Sequence, residues 1–249
     1  GGDDACPALL ETALARASES CDDLGRNQAC YGYTRVLAEP RRGAAITFAA
    51  PGDLAALADI ARLQTNTLNV DTGEWGIALL SVQADLPDTL PGQNVTFVLF
   101  GEADLRAAPD PTAAYPAPMQ AFYLTTGLGE PACAEAPRDG LLIQAPQATT
   151  VHFLINGVEV EVGSTALVRT QEDDTLSINT LAGTITVTAA GETRTALPGL
   201  RVDVAAGAPP AEPVPYEMAD VQYAPVELLP EPVTCPYPAR LFDVGTCES

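Results

Sequence analysis

Apolar and polar residues alternate in short runs through the second half of the chain, and this pattern predicts β-strands. Residues 151–155 and 158–162 are two such runs, separated only by Asn156-Gly157, the dipeptide that best fits a two-residue type I′ turn. The three valines of the second run fall on one face and its two glutamates on the other. Further short runs lie at 165–170, 175–181, 184–189, 192–197 and 200–205. Together they predict a compact all-β unit.

The first half of the chain carries longer apolar runs, at residues 74–84, 95–101 and 121–125, separated by turns rich in Pro and Gly. Near-continuous apolar character over such short lengths is typical of strands that are buried on both faces of a sandwich.

Two segments of the first half have a helical pattern. Residues 7–20 begin with proline at the permitted first helical position, and their Leu and Ala residues recur on one face. Residues 53–63 follow a Pro-Gly turn, and Asp53 is a suitable N-cap. We therefore predict an N-terminal helix and one further short helix.

Nine prolines interrupt the chain between residues 207 and 238, a density that predicts extended chain and argues against a helix. Apolar residues are interleaved with these prolines, which a solvated linker would not need. The apolar residues that could contact another subunit are Tyr216, Met218, Val221, Tyr223, Val226, Leu228 and Leu229. Two arrangements stay open: the tail packs on its own chain, or it adds to a neighbouring copy.

The cysteine content predicts three disulfides in an oxidising compartment. The six cysteines are Cys6, Cys21, Cys30, Cys133, Cys235 and Cys247. A structural metal site would need closely spaced cysteine pairs with histidine partners, and the sequence has none.

The predicted helix limits how these cysteines can pair. A helix over 7–20 would separate Cys6 from Cys21 by about 22 Å, whereas a disulfide tolerates a Cα separation of at most roughly 7 Å. The short loop after Cys21 could bring Cys30 back onto it. Cys235–Cys247 is also a local pair, which leaves Cys6–Cys133 as the third, in one of several connectivities that six cysteines allow.

These patterns predict a mainly β protein of sandwich or jelly-roll-like domains, with a short disulfide-linked N-terminal helix and an extended Pro-rich C-terminal tail. The predicted segments are 1–45, helical and disulfide-linked; 46–132, β-rich with one short helix; 133–206, all-β; and 207–249, the tail with two cysteines.

Charge limits the possible partners. The chain has 33 acidic residues and 12 basic ones, all arginine, for a net charge of −21. Such a charge excludes nucleic acid and anionic membrane surfaces as partners, because both require a basic protein. No apolar run reaches the roughly 20 residues of a membrane span. We expect a secreted protein whose signal peptide has been removed.

Recognisable catalytic patterns are absent from the sequence. The only histidine, His152, lies in a predicted strand, and no nucleophile motif accompanies it. Trp75 lies in an apolar strand, where a core position is expected. We therefore predict no catalytic residue, cofactor or metal, although the acidic turns at 22–23, 71–74 and 172–174 leave calcium open. Asn94 begins an Asn-Val-Thr sequon and is a possible glycosylation site.

Within residues 140–205, the pattern LAGTITVTAAG followed by ALPGLRVDV resembles the FecR-like β domain of bacterial extracytoplasmic proteins. The segments 21–36 and 70–101, with CDDLGRNQACYG, GEWGIALLSVQADLPDT and PGQNVTFVLFG, are similar to uncharacterised secreted proteins of Chloroflexota-type bacteria. The resemblance implies a β fold and brings no catalytic residue. FecR proteins proper signal through a transmembrane helix, and this sequence has no counterpart to it.

The sequence therefore predicts a non-enzymatic extracellular structural protein, a subunit of a cell-surface assembly or filament whose tail makes the contacts between copies. The partner would be the protein itself, as a homo-oligomer or filament. The alternative is a FecR-like extracellular module for sensing or ligand binding, with an extracellular glycan as a possible ligand.

Overall fold

A computed structural model of the chain describes residues 5–83, 94–109 and 114–233. Helix α1 spans Ala5–Ser20, so the predicted helix is present and begins two residues before Pro7, and α2 is a single turn at Met218–Val221. The described strands are, in chain order, β1 (Gln28–Tyr31), β2 (Val36–Pro40), β3 (Leu54–Ala56), β4 (Ile60–Thr65), β5 (Ile77–Val82), β6 (Val95–Phe100), β7 (Ala103–Ala107), β8 (Ala121–Thr126), β9 (Gly140–Gln144), β10 (Val151–Ile155), β11 (Val158–Val162), β12 (Thr165–Thr170), β13 (Leu176–Ala182), β14 (Ile185–Ala189), β15 (Glu192–Ala196), β16 (Leu200–Val204) and β17 (Val214–Pro215). The prediction of a mainly β fold is confirmed.

These strands form two large sheets. Nine of the described strands lie in the order β17-β16-β13-β12-β9-β6-β5-β1-β3, and eight in the order β15-β14-β11-β10-β8-β7-β4-β2. In each sheet, strands that precede residue 127 form one half and strands that follow residue 139 form the other. The halves are joined by antiparallel pairing of β6 with β9 and by parallel pairing of β8 with β10.

One apolar core runs between the sheets and across both halves. The rings of Phe97, Phe122 and Phe153 lie at its centre, with centroids 5.4–6.4 Å apart in tilted or edge-to-face geometry. Phe97 and Phe122 belong to the first half and Phe153 to the second. Residues of the predicted segments 46–132 and 133–206 therefore share two sheets and one core.

The hairpin of β10 and β11 is formed as predicted. Val151 pairs with Val162 and Ile155 with Val158, so only Asn156 and Gly157 are left in the turn. Both turn residues have positive φ, 52° and 81°, the conformation that a type I′ turn requires.

The helix predicted over 53–63 is wrong: this segment forms β3, one 3₁₀ turn at Leu57–Asp59 and β4. Along β4, Ile60 and Leu63 are fully buried in the core between the sheets, so tertiary packing overrides the local helical preference. The Asp53 carboxylate accepts hydrogen bonds from the N–H groups of Ala49 and Ala50, which precede it, and therefore caps no helix.

The expectation that the tail contains no helix is also wrong in part. Between the prolines at 215 and 225, nine residues are free of proline, and α2 forms there. A second short turn, a 3₁₀ helix, spans Val226–Leu228. The described part of the tail also contains the two-residue strand β17 and several turns.

Helix α1 covers the outer face of the nine-stranded sheet, the face turned away from the other sheet. Its Ala13 and Ala17 are fully buried in a second apolar cluster with Ile77 of β5 and Phe100 of β6. The Trp75 ring is 1% exposed in the same cluster, as expected of a core residue.

Two disulfides hold the ends of α1. Cys21 is bonded to Cys30 and Cys6 to Cys133, with Cα separations of 5.8 and 6.5 Å, which confirms both predicted pairs. The predicted pair of Cys235 and Cys247 lies outside the described residues.

Candidate functional site

Three adjacent strands place polar side chains on the outer face of the nine-stranded sheet. In β12, β13 and β16, Arg169 lies opposite Ser177, and Asn179 lies opposite Arg201. Because side chains alternate across a strand, these four residues point away from the core. The residues between them point inward, since Val168, Ile178 and Val202 are fully buried between the sheets.

These polar residues line a cavity of about 410 Å³, a volume in the usual range of small-molecule sites. Arg138, from the connection between β8 and β9, lines the same cavity, and Asp220 of α2 lies at its side. Three of the twelve arginines of this acidic chain therefore converge on one cavity. We call Arg138, Arg169 and Arg201 the arginine cluster.

Three carboxylates pair with the three arginines of the cluster, so its formal charges balance. Asp220 is shared: its carboxylate oxygens lie 3.7 Å from an Arg169 nitrogen and 3.2 Å from an Arg201 nitrogen. Arg201 also lies 3.1 Å from the carboxylate of Asp203. Arg138 pairs at 3.4 Å with Glu130, whose side chain is largely exposed. The tail thus contributes one carboxylate, that of Asp220, which forms ion pairs with two arginines.

The partners of Arg169 do not fully offset the effect of burial on its charged guanidinium. Its side chain is only 13% exposed, and its Nε donates to the Asp139 carbonyl oxygen at 2.9 Å. Burial lowers the pKa of Arg169; the charge of Asp220 opposes this effect, and the like charges of Arg138 and Arg201 add to it. A further anion in the cavity would therefore favour the charged guanidinium.

Asn179 has a side-chain oxygen to which none of the described residues donates a hydrogen bond. This residue is 1% exposed, and its Nδ2 donates to the Leu167 carbonyl oxygen at 3.3 Å, which fixes the orientation of the amide. Its Oδ1 is buried and has no hydrogen-bond partner among the described residues. A buried acceptor left unpaired costs about 1–3 kcal/mol, so this amide lowers the stability of the fold.

An unusual acid, Asp139, lies beside the cluster. Burial raises its pKa to about 6, and repulsion by Glu102 adds to the shift, while a hydrogen bond from the Glu102 backbone and the charge of Arg169 oppose it. A Cβ at Gly101 or Gly127 would collide with the Asp139 carboxylate, so two glycines provide its space.

Most of the predicted tail contacts are directed into the chain itself. Tyr216, Val221, Leu228 and Leu229 are buried in the apolar cluster beneath α1 and the tail. Met218 and Val226 are half-buried. Tyr223 is 49% exposed and adopts a positive φ of 62°, which is uncommon for an aromatic residue.

The other residues singled out from the sequence lie apart from the arginine cluster. Asn94 precedes β6 and is half-buried. His152 lies on the outer face of the eight-stranded sheet, with Nδ1 3.5 Å from a carboxylate oxygen of Glu161. Neither residue lines the cavity.

Metal-ligating groups converge at one place within residues 5–83, 94–109 and 114–233, at Cys6, Cys133 and Glu135. The two sulfurs there form a disulfide, which removes them as ligands. No helix in these ranges is long and apolar enough to cross a bilayer.

Sequence reasoning missed the arginine cluster, although part of the pattern was available. Alternation within the predicted strands places Ser177 with Asn179, and Arg201 with Asp203, on common faces. The sequence does not show which strands are neighbours in the sheet, and it does not show that Asp220 lies over them.

Comparisons with known proteins assign no family. No protein-family model matches the chain, and no curated protein matches it. Two crystal structures of a protein described as a putative anti-sigma factor from Parabacteroides distasonis ATCC 8503 match with TM-scores of 0.33, at 14% and 13% identity. The match covers 56–57% of this chain and 59–60% of that protein, less than two thirds of its length. At this TM-score the likeness carries no functional assignment.

Proposed function

We propose that this chain is a non-enzymatic extracellular protein that binds a carboxylate-bearing ligand at the arginine cluster. The observation that carries the proposal is the convergence of three arginines on one cavity in a chain of net charge −21. The arginines are paired with carboxylates of the chain itself, and a ligand carboxylate that takes over these guanidinium groups would bind at this one concave place. Guanidinium groups match carboxylates in geometry.

The site already contains one carboxylate of the kind that such a ligand would carry. The Asp220 carboxylate lies between Arg169 and Arg201, and the cavity remains beside it. In this proposal Asp220 holds the arginines in position when no ligand is bound. The ligand carboxylate then joins or replaces it.

The extracellular setting and the FecR-like character of residues 133–206 are part of the same proposal. Two disulfides favour an oxidising compartment. The succession of short antiparallel strands from β10 to β16 supports the FecR-like pattern.

Thermal unfolding with simple carboxylates tests the proposal. Succinate at about ten times its Kd should raise Tm by about 3 °C, whereas neutral succinamide should not. The double variant Arg138→Gln/Arg201→Gln should lose this response. Arg194→Gln is the matched control, because Arg194 is similarly half-buried and ion-paired but lies in the other sheet. An equal response to succinate in the double variant would refute the proposal.

A second candidate function is the subunit of a surface assembly, and two exposed residues favour it. Val214 is 42% exposed on β17, which ends the nine-stranded sheet, and Tyr223 is 49% exposed. An end strand can accept a strand from another copy. Light scattering and electron microscopy would detect such assemblies, and Val214→Ser/Tyr223→Ser should abolish them. A monomer at all concentrations would exclude this function.

A further inference from the structure

We infer that a second cavity, between α1 and the tail, binds a basic and apolar segment of a partner protein. This cavity has a volume of about 250 Å³ and is lined by α1, the connection between β8 and β9, the tail and Trp75. We call it the acidic cavity. It shares no lining residue with the arginine cluster, so a partner bound there goes beyond the proposed function.

The inner wall of the acidic cavity is apolar. Leu10 and Trp75 line it and are buried in the apolar cluster beneath α1, and Leu14 lines it beside them. Tyr223 also lines the cavity and is 49% exposed. An apolar side chain can therefore be buried here, and the half-exposed ring of Tyr223 can contact a cation across its face.

The charged residues of the acidic cavity are all glutamates. Glu11 of α1, Glu135 of the β8–β9 connection and Glu227 of the tail line it, and no arginine among the described residues does. None of these three carboxylates forms an ion pair within the described part of the chain. The carboxylates at the arginine cluster, in contrast, are balanced by arginines. The acidic cavity therefore attracts a cation and repels an anion.

Trp75 adds a hydrogen-bond donor to the acidic cavity. Its backbone N–H and carbonyl oxygen both bond to the Thr34 hydroxyl. Its indole N–H donates to none of the described residues, and it is not among the polar atoms that these residues close off from solvent. A buried indole N–H usually has an acceptor. Because the three glutamates repel anions, the acceptor that a ligand brings here must be neutral, as a peptide carbonyl oxygen is.

A basic peptide supplies a cation, an apolar side chain and a carbonyl acceptor in one molecule, whereas a simple amine lacks the carbonyl. The volume of the acidic cavity is below the roughly 300–1,000 Å³ of typical small-molecule sites and suits a single side chain. A second copy of this chain is a poor occupant, because each copy carries a charge of −21 and no lysine. The geometry therefore points to a partner protein in which arginine or lysine lies next to an apolar residue.

Titration of the full chain with three capped pentapeptides tests the inference. Trp75 is the only tryptophan, so its emission reports directly on the acidic cavity. Arg-Leu-Arg-Leu-Arg carries charge and apolar side chains, its citrulline analogue keeps the shape without the charge, and Arg-Gly-Arg-Gly-Arg keeps only the charge. We expect the first peptide to bind at least about ten-fold more tightly than either of the others.

Glu11→Gln/Glu227→Gln should weaken binding of the arginine–leucine peptide about ten-fold. Both side chains are exposed, so the fold should be unaffected. Asp59→Asn/Glu159→Gln is the matched control, because it removes two exposed carboxylates that do not line the acidic cavity. Equal weakening in both double variants would reduce the effect to net charge and overturn the inference. Equal binding of the citrulline or glycine peptide would overturn it as well.

Two further results would identify a different occupant. Butylguanidinium is a small apolar cation without a carbonyl group, and binding as tight as that of the peptide would assign the acidic cavity to a free amine. A dimer that Glu11→Gln/Glu227→Gln abolishes would assign it to a second copy. Either result would overturn the inference, and neither bears on succinate binding at the arginine cluster.

Discussion

The outer face of the nine-stranded sheet has two ends that are covered in different ways. Over β1, β5 and β6, helix α1 buries small apolar side chains, and a disulfide holds each end of the helix. Over β12, β13 and β16, the single turn α2 contributes Asp220 to the arginine cluster. The first cover depends on dispersion and covalent bonds. The second combines buried apolar residues of the tail, such as Tyr216 and Val221, with ion pairs that a ligand can replace, so function is expected at the second.

The largest expected effect breaks the covalent part of the first end. Cys6→Ala/Cys133→Ala removes a cross-link between residues 127 apart, whereas Cys21→Ala/Cys30→Ala removes one between residues 9 apart. The loop-entropy model gives about 5 and about 2.5 kcal/mol of lost stability, respectively. Urea unfolding of both double variants measures the difference. Equal losses would show that the long cross-link does not act through the unfolded chain.

The next effect tests the apolar packing at the same end. Trp75→Ala should cost about 3–5 kcal/mol, because the ring is 1% exposed and packs edge-to-face on Phe100 at 6.4 Å. Tyr123→Ala is the control, since that ring is 54% exposed and should cost far less. Chemical denaturation of both variants measures the contrast. Similar losses would contradict the packing argument.

At the polar end of this face, Asp139 makes the stability of the fold depend on pH. The pKa of Asp139 is about 6, above its ordinary value of 3.8, so the folded protein keeps this proton at pH values where the unfolded chain has lost it. Stability is therefore greatest below about pH 4 with respect to this group, and falls as the pH rises to 6. Asp139→Asn should be more stable than the unmodified chain at pH 7, by on the order of 2 kcal/mol.

Unfolding at pH 4 and pH 7 checks this sign. The gain in the Asp139→Asn variant should fall to a small fraction at pH 4, where the carboxyl is protonated in the folded state and only about half ionised in the unfolded chain. A gain of the same size at both pH values would assign the effect to packing rather than to ionisation.

The smallest expected effect concerns the cover of the polar end. Asp220→Asn should cost about 1 kcal/mol, because Asp220 is partly exposed and Arg201 keeps Asp203. The same change should strengthen succinate binding, since the arginines lose their internal carboxylate. Glu212→Gln, in an exposed pair with Arg194, should change neither. Weaker succinate binding in Asp220→Asn would contradict the role given to Asp220.

The sequence allowed accurate prediction where local chemistry decides the structure. Asn156-Gly157 between alternating runs defined the hairpin, and the length of α1 excluded a bond between Cys6 and Cys21. Local chemistry failed over 53–63, where Ile60 and Leu63 are buried by strands distant in the sequence. The arginine cluster depends on such distant partners throughout. Asn179 meets Arg201 only because β13 pairs with β16, and Asp220 reaches both arginines only because the tail folds back.

The junction between the two halves of the sheets has a consequence for dissecting this protein. A fragment that begins at β9 would expose the edge of β9 that pairs with β6 and the edge of β10 that pairs with β8. It would also leave Phe153 without Phe97 and Phe122. Unpaired edges beside an open apolar core favour aggregation. Residues 133–206 expressed alone are therefore expected to be insoluble, and ligand binding is best measured on the whole chain.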